Sequence, residues 1–435
     1  MMITRIIIKG MFGWKNYKLN FNKDLNLLVG LNGSGKTTIL NIISSIASGN
    51  FEFVEKYRCN SIVLEYTISK DISKKIIIHQ INNEYVLKWR NQKYLVSDFL
   101  EEKNSFLKND EEKEIERVRK EISRELNLLY LPLSRDKNML QHSVSERENK
   151  SFFTEFSINS SKPLGNIDET LKDINKMVKE YQRRTGLELE KLNNKMRSEL
   201  FESSLTYQKD ASLEKRLKLL QELDVNELKN AFEDMGLLTP RLEHEINNFM
   251  LMLQKGAEHF KNWANNINET EFDEDLHDFY NNLSQVERII SWQKIVGDIT
   301  DKKEKIQKNM KVFLNTVNSF LKESKKVITI NDRKGIVQFI QTNNKSSKRL
   351  DLEYLSSGEK QIVIFFAYLI FDISVKQKGI YIVDEPELSL HVSWQREFAK
   401  SIIAVAPELQ IIFATHSAEI VGRYRDKCIP RCSYI

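Results

Sequence analysis

The run Gly30-Leu31-Asn32-Gly33-Ser34-Gly35-Lys36-Thr37 constrains this chain more than any other feature. It fits the pattern G-x-x-x-x-G-K-[ST], follows the apolar stretch Leu25–Val29 and opens a helical pattern at Thr37-Thr38-Ile39-Leu40. Glycines let successive backbone N–H groups turn inward and cradle phosphate oxygens. The helix behind them aims the positive end of its dipole at the same anion. Lys36 neutralises phosphate charge, and the Thr37 hydroxyl is placed to ligate Mg2+. The candidate nucleotide-binding residues are therefore Asn32, Gly33, Ser34, Gly35, Lys36, Thr37 and Thr38.

Further segments follow in a fixed order. Gly379-Ile380-Tyr381-Ile382-Val383-Asp384-Glu385 is an apolar strand ending in two carboxylates. Asp384 sits where it can order a Mg2+ shell, and Glu385 where it can polarise an attacking water. Upstream of them, Leu355-Ser356-Ser357-Gly358-Glu359-Lys360-Gln361 precedes an apolar helix. Its serines and N–H groups can present a helix N-terminus to an anion. The plainer reading of the same residues is a capping box between Ser356 and Glu359. Ile411-Ile412-Phe413-Ala414-Thr415-His416-Ser417 is another buried strand, ending in a histidine that can reach a terminal phosphate or its attacking water.

In this order the segments resemble the ABC-type ATPases of the SMC, Rad50 and RecF kind. The match at Ser356–Gln361 is closest to SMC and Rad50 proteins, which carry Glu where transporters carry Gln. The resemblance implies an α/β fold: an ABC-type P-loop head with an antiparallel β lobe and a large helical or coiled-coil insertion. It implies ATP and Mg2+ as cofactors, with Glu385, His416 and Lys36 catalytic and Thr37 and Asp384 at the metal. It also implies that two heads close on two nucleotides. Ser356, Ser357 and Gly358 of one head would then cover the phosphate held by the other, and Ser389, in the segment Leu388-Ser389-Leu390-His391, would touch the partner's site. Ser357 departs from the family's glycine. The glutamine that ends the family's lobe-linking strand has no match in Leu129–Arg135, and Gln141 lies further on.

The string Asp384-Glu385-Pro386-Glu387-Leu388-Ser389-Leu390-His391, with Trp394-Gln395 and Thr415–Ile420, is similar to one branch: the ATPases of bacterial antiphage systems of the Septu, PARIS and retron-linked kinds, and the ATPase half of OLD-family nucleases. That likeness implies an ATP-hydrolysing sensor that controls a nuclease. Too few residues follow His416 for a Toprim domain, and the seven histidines form no HNH-like cluster. The nuclease is therefore expected on a separate chain, of HNH or Toprim type, with DNA or a phage protein as trigger. A RecF- or Rad50-like DNA repair ATPase shares every motif and stands as the alternative. The long separation of Lys36 from Ser356 argues against a transporter subunit, and the intact Glu385 against an inert scaffold.

The 435 residues are long for one domain. Residues 1–135 and 326–435 carry the motifs and β-rich patterns. Residues 136–325 read as a helical insertion for assembly or partner binding, with apolar residues at helical spacing but no sustained heptads. The net charge of +5 is too mild to mark a nucleic-acid surface by itself. Three cysteines, Cys59, Cys428 and Cys432, and the absence of a secretory pattern point to a reducing, cytoplasmic setting. No apolar run is long enough to span a membrane.

Overall fold

The computed structural model describes residues 1–69, 72–100, 110–131, 167–206, 213–234, 236, 238–265, 273–331, 335–342, 348–373, 379–388 and 390–429. The chain forms two compact units. One comprises Met1–Glu180 with Lys311–Ile435, and the other Tyr181–Met310.

Among the described residues, three sheets lie in the first unit. The largest is antiparallel, in the order β2-β1-β4-β5-β6-β7. It is built from β1 (Met2–Met11), β2 (Lys15–Asn20), β4 (Ser61–Ser69), β5 (Ile72–Ile81), β6 (Glu84–Trp89) and β7 (Gln92–Leu95). Strict alternation drives it: Ile62, Leu64 and Tyr66 are buried while Val63, Glu65 and Thr67 face outward. The second sheet is parallel, in the order β14-β3-β13-β12-β8. Its strands are β3 (Leu25–Val29), β8 (Leu128–Leu131), β12 (Ile380–Asp384), β13 (Gln410–Thr415) and β14 (Cys428–Ile429). Every residue of β12 and β13 is buried, as continuous apolar strands covered on both faces require.

Helix α1 (Lys36–Ser48) joins the two sheets. Its Ile39, Leu40, Ile42, Ile43 and Ile46 share one core with Ile6 and Ile62 of the antiparallel sheet and Ile382 and Ile412 of the parallel one. Buried Gln410 adds a polar tie: its amide bonds the backbone of Ile3 through both N–H and C=O and also reaches Asn22 O. Short helices α2 (Phe53–Tyr57) and α3 (Ser97–Leu100) and the longer α4 (Asp110–Leu126) complete the first half.

Helix α5 (Ile167–Leu205) has 39 residues. After it come α6 (Leu213–Glu222), α7 (Val225–Asp234), α8 (Pro240–Asn265) and α9 (Glu274–Leu321), the last with 48 residues. Residues 181–310 form the second unit, whose core holds Leu223, Met250, Leu253, Phe279, Leu283 and Val286. Helices of this length exceed what the broken heptads suggested. The spacing Leu276, Phe279, Leu283, Val286 is regular, but Gln293 and Gly297 interrupt its continuation.

The chain then pairs β9 (Lys326–Asn331) with β10 (Ile336–Gln341) antiparallel, with β11 (Arg349–Asp351) beside β10. Helix α10 (Ser357–Ala367) widens into a π-type turn over Tyr368–Ile373, where a single α-helix was expected. Helices α11 (Val392–Val405) and α12 (Ala418–Val421) close the unit. The expected domain boundary at 135, and Ser134, Arg135, Gln141, Ser389 and Cys432, lie outside the described residues. No described helix is long and apolar enough to cross a membrane.

Candidate functional site

The register of the parallel sheet assembles the site. Thr415 of β13 pairs with Val29 of β3, Asp384 of β12 pairs with Ala414, and Val383 pairs with Leu131 of β8. The loop at 30–37, the paired carboxylates and the Thr415-His416-Ser417 turn therefore leave the same edge of the sheet. Carboxyl ends of parallel strands are where such sheets bind ligands.

The loop is held in its cradle by conformation and by close packing. Gly33 and Gly35 have φ of +77° and +88°, a region that favours glycine. At Gly33 a Cβ would meet nothing within 4 Å, so the requirement there is conformational. At Gly35 a Cβ would come within 2.7 Å of the Tyr17 hydroxyl, which donates to Ser34 O. Ser34 Oγ is buried with no hydrogen-bond partner. Asn32 and Gly33 are exposed, and Thr37 and Thr38 are half-buried at the start of α1.

Lys36 is buried and folded back over its own loop. Its ammonium donates to Gly30 O at 2.9 Å, to Leu31 O at 3.2 Å and to His416 Nε2 at 2.9 Å. Burial lowers its pKa, opposed by the charges of Glu385, Asp384 and Glu387. His416 Nε2 also lies 3.7 Å from Glu385 Oε1. Sequence-expected Lys36, His416 and Glu385 are thus in one cluster.

Asp384 is buried, and the Thr37 hydroxyl hydrogen-bonds its carboxyl group. Its Oδ1 has no partner. Burial, with Glu385 adding to it, pushes the carboxyl up to about 6 from an ordinary 3.8. An orphaned carboxylate oxygen beside a hydroxyl is a donor set that suits Mg2+, which binds few protein oxygens and takes the rest from phosphate and water. Among the described residues no group of three or more His, Cys, Asp and Glu could hold a metal ion, so a metal held by protein side chains alone has no candidate there. Glu385 has φ of +51°, costly for a side chain of its size. Its N–H donates to Ala414 O at 2.8 Å, which fixes the turn.

Ser356, Ser357 and Gly358 stand at the N-terminus of α10, with both serines exposed. The capping box is present: Ser356 Oγ accepts from Glu359 N, and Glu359 accepts from Ser356 N at 2.8 Å. Lys326 of β9 pairs with Glu359 at 2.8 Å. Two residues not singled out from the sequence also bear on the site. Glu387 accepts from Thr415 Oγ1 at 2.8 Å and from the backbone N–H of His416. Gln395 accepts from Ser417 Oγ at 2.6 Å and donates to Leu390 O at 2.9 Å. A polar residue two places after Glu385 is a weak signal, since most loop carboxylates face solvent.

The site and its sheet define a P-loop ATPase head of the ABC type. The family described as AAA ATPase domain matches residues 1–421, and this chain belongs to it. The chain is 33% identical over 87 residues to the Septu protein PtuA of Bacillus thuringiensis, covering 18% of this chain and 22% of PtuA. It is 25% identical over 377 residues to the structural maintenance of chromosomes protein 3 homolog of Plasmodium falciparum (isolate 3D7), covering 83% of this chain and 30% of that protein. The chain thus spans less than a third of either relative's length. Among solved structures, the Smc head domain with an extended coiled coil bound to the C-terminal domain of ScpA, derived from Pyrococcus furiosus, aligns over 97% of this chain and 91% of that one. The identity is 14% and the TM-score 0.41.

Proposed function

We propose that this ATPase is the regulatory subunit of a bacterial antiphage defence complex, in which two copies close on two ATP molecules and thereby control a nuclease on a separate, HNH- or Toprim-type chain. The observation that carries the catalytic part is the meeting of Lys36, Asp384, Glu385 and His416 at one sheet edge. The match to PtuA supports the defence setting.

Backbone N–H groups from Asn32 to Thr38, the α1 dipole and Lys36 bind the triphosphate. Thr37 and Asp384 would hold Mg2+, which when bound would supply charge neutralisation at the phosphate oxygens. Glu385 polarises the attacking water and His416 orients it beside the terminal phosphate. Ser356, Ser357 and Gly358 of the second copy complete the enclosure, with Ser389 at the shared boundary. Hydrolysis removes the differential affinity that favours the closed pair. Residues 136–325 mediate assembly and contact the nuclease or the trigger, DNA or a phage protein, in the cytoplasm.

A second reading, a DNA repair or recombination ATPase, is favoured by the 83% of this chain that aligns with the SMC 3 homolog. The test is purification of tagged Glu385→Gln protein from its native operon with ATP present, followed by mass spectrometry. A small nuclease in constant ratio supports the defence reading. Retained DNA fragments without a protein partner replace it with the repair reading.

A further inference from the structure

We infer that Glu387 is a positioning residue for His416, and that it couples the switch histidine to the segment Leu388–His391. The turn after β12 is tight. Glu385 takes a left-handed conformation and Leu388 N donates to Glu385 O at 3.0 Å. This folds the chain so that the Glu387 side chain points back at the end of β13. Each of its two oxygens then has its own donor there, the Thr415 hydroxyl and the His416 N–H. Such charge-assisted bonds are among the stronger ones available to a loop.

A second staple lies alongside. Gln395 of α11 donates to Leu390 O at 2.9 Å and to Glu387 O at 3.4 Å, and accepts from Ser417 Oγ at 2.6 Å. Ser417 Oγ in turn caps α12 by accepting from Glu419 N and Ile420 N. The loop at 415–417 is therefore fastened to Glu387 directly and, through Gln395, to Glu387 and Leu390, on both sides of His416. The imidazole it carries must sit between Lys36 and Glu385, at 2.9 and 3.7 Å. A shift of Leu388–His391 moves Glu387, and with it the backbone that aims His416. This coupling rests on the two-copy reading, in which that segment meets the second head: engagement of the partner then sets the histidine for turnover.

The experiment compares wild type with Glu387→Ala, Glu387→Gln, His416→Ala and the Glu387→Ala/His416→Ala double variant. ATP affinity is measured by titration with a fluorescent ATP analogue, and turnover by phosphate release. Glu387→Ala is expected to lower kcat by about tenfold or more while ATP affinity stays within about threefold. The double variant is expected to be no slower than His416→Ala alone, because two residues acting as one unit are not additive. Glu387→Gln keeps an acceptor for His416 N and a donor for the Thr415 hydroxyl, so it should recover part of kcat. Where Glu387→Ala does not fold, Thr415→Val removes one of the two contacts and serves in its place. Unchanged kcat in a folded variant, or additive losses in the double variant, would overturn the inference. The rise of specific activity with protein concentration is read in the same assay. A flat wild-type profile would remove the two-copy reading while leaving the Glu387–His416 coupling to stand or fall on the cycle.

Discussion

The Lys36 ammonium donates to Nε2 of His416 at 2.9 Å, so the imidazole accepts on that nitrogen and carries its proton on Nδ1. The same ammonium satisfies Gly30 O and Leu31 O, which closes the phosphate loop on itself. On the proposed function, nucleotide binding would exchange these neutral acceptors for phosphate oxygens, a stronger match for a cation. Lys36→Met removes the charge and leaves two carbonyls without this donor. ATP affinity should fall by roughly 100-fold, the worth of two or three such bonds. Calorimetric titration with a non-hydrolysable ATP analogue checks this, and an affinity within threefold of wild type would exclude Lys36 from phosphate binding.

Glu385 predicts a separation of stability from activity. Its φ of +51° is a conformation that costs a side chain about 1 kcal/mol and costs glycine little. Glu385→Ala and Glu385→Gly both remove the carboxylate, so both should lose hydrolysis by about 100-fold or more. Their stabilities should differ in the reverse of the usual order, with glycine the more stable by about 1 kcal/mol. Thermal unfolding of the two variants side by side gives the answer, and alanine proving the more stable would refute the strain.

Asp384 gives the apo protein a pH dependence. Burial raises its carboxyl to about 6 from 3.8, so between those values the folded state keeps a proton that the unfolded chain has released. The group therefore favours folding fully at acid pH, and that contribution is lost as pH rises through 6. Above that pH its ionisation weighs against the fold by on the order of 2–3 kcal/mol. Asp384→Asn should make the nucleotide-free protein more stable than wild type at pH 7.5, with the gain shrinking toward pH 5. Mg2+-dependent hydrolysis should be lost in the same variant. Unfolding midpoints across that pH range, in chelator, test the sign.

Much of this site was legible because its chemistry is written in short contiguous runs. The Gly30–Thr37 loop, Asp384-Glu385 and Thr415-His416 each end an apolar strand, and strand register alone brings them together. Glu387 was not legible, because its partners Thr415 and His416 are distant in sequence and only the left-handed turn at Glu385 aims it at them. The long helices were legible as helix but not in extent. Leu276, Phe279, Leu283 and Val286 keep a 3–4 spacing, yet Gln293 and Gly297 break it before it becomes a sustained repeat. Neighbouring helices of the same unit cover the buried faces, so no continuous seam was needed.

Glu359 is the last case, where the capping box read from the sequence is present and holds the helix that carries Ser356 and Ser357. Burial alone would push its carboxyl up, but Lys326 and the Ser356 N–H outweigh that and hold it below its usual range. Glu359→Ala therefore removes half of a capping box and leaves Lys326, largely buried, without this carboxylate. A lost cap costs about 1 kcal/mol and an unmatched buried charge somewhat more, so a loss of about 2–4 kcal/mol is expected. Glu359→Gln should lie between alanine and wild type, since its amide oxygen still accepts from Ser356 N. Lys326→Met combined with Glu359→Gln should recover part of the loss, because no lone charge remains. Since Ser356 and Ser357 stand at the end of α10 that this pair anchors, Glu359→Ala should lower kcat more than it weakens ATP binding by a single head. Equal stability of all four proteins in thermal melts would show that the pair does not hold the helix.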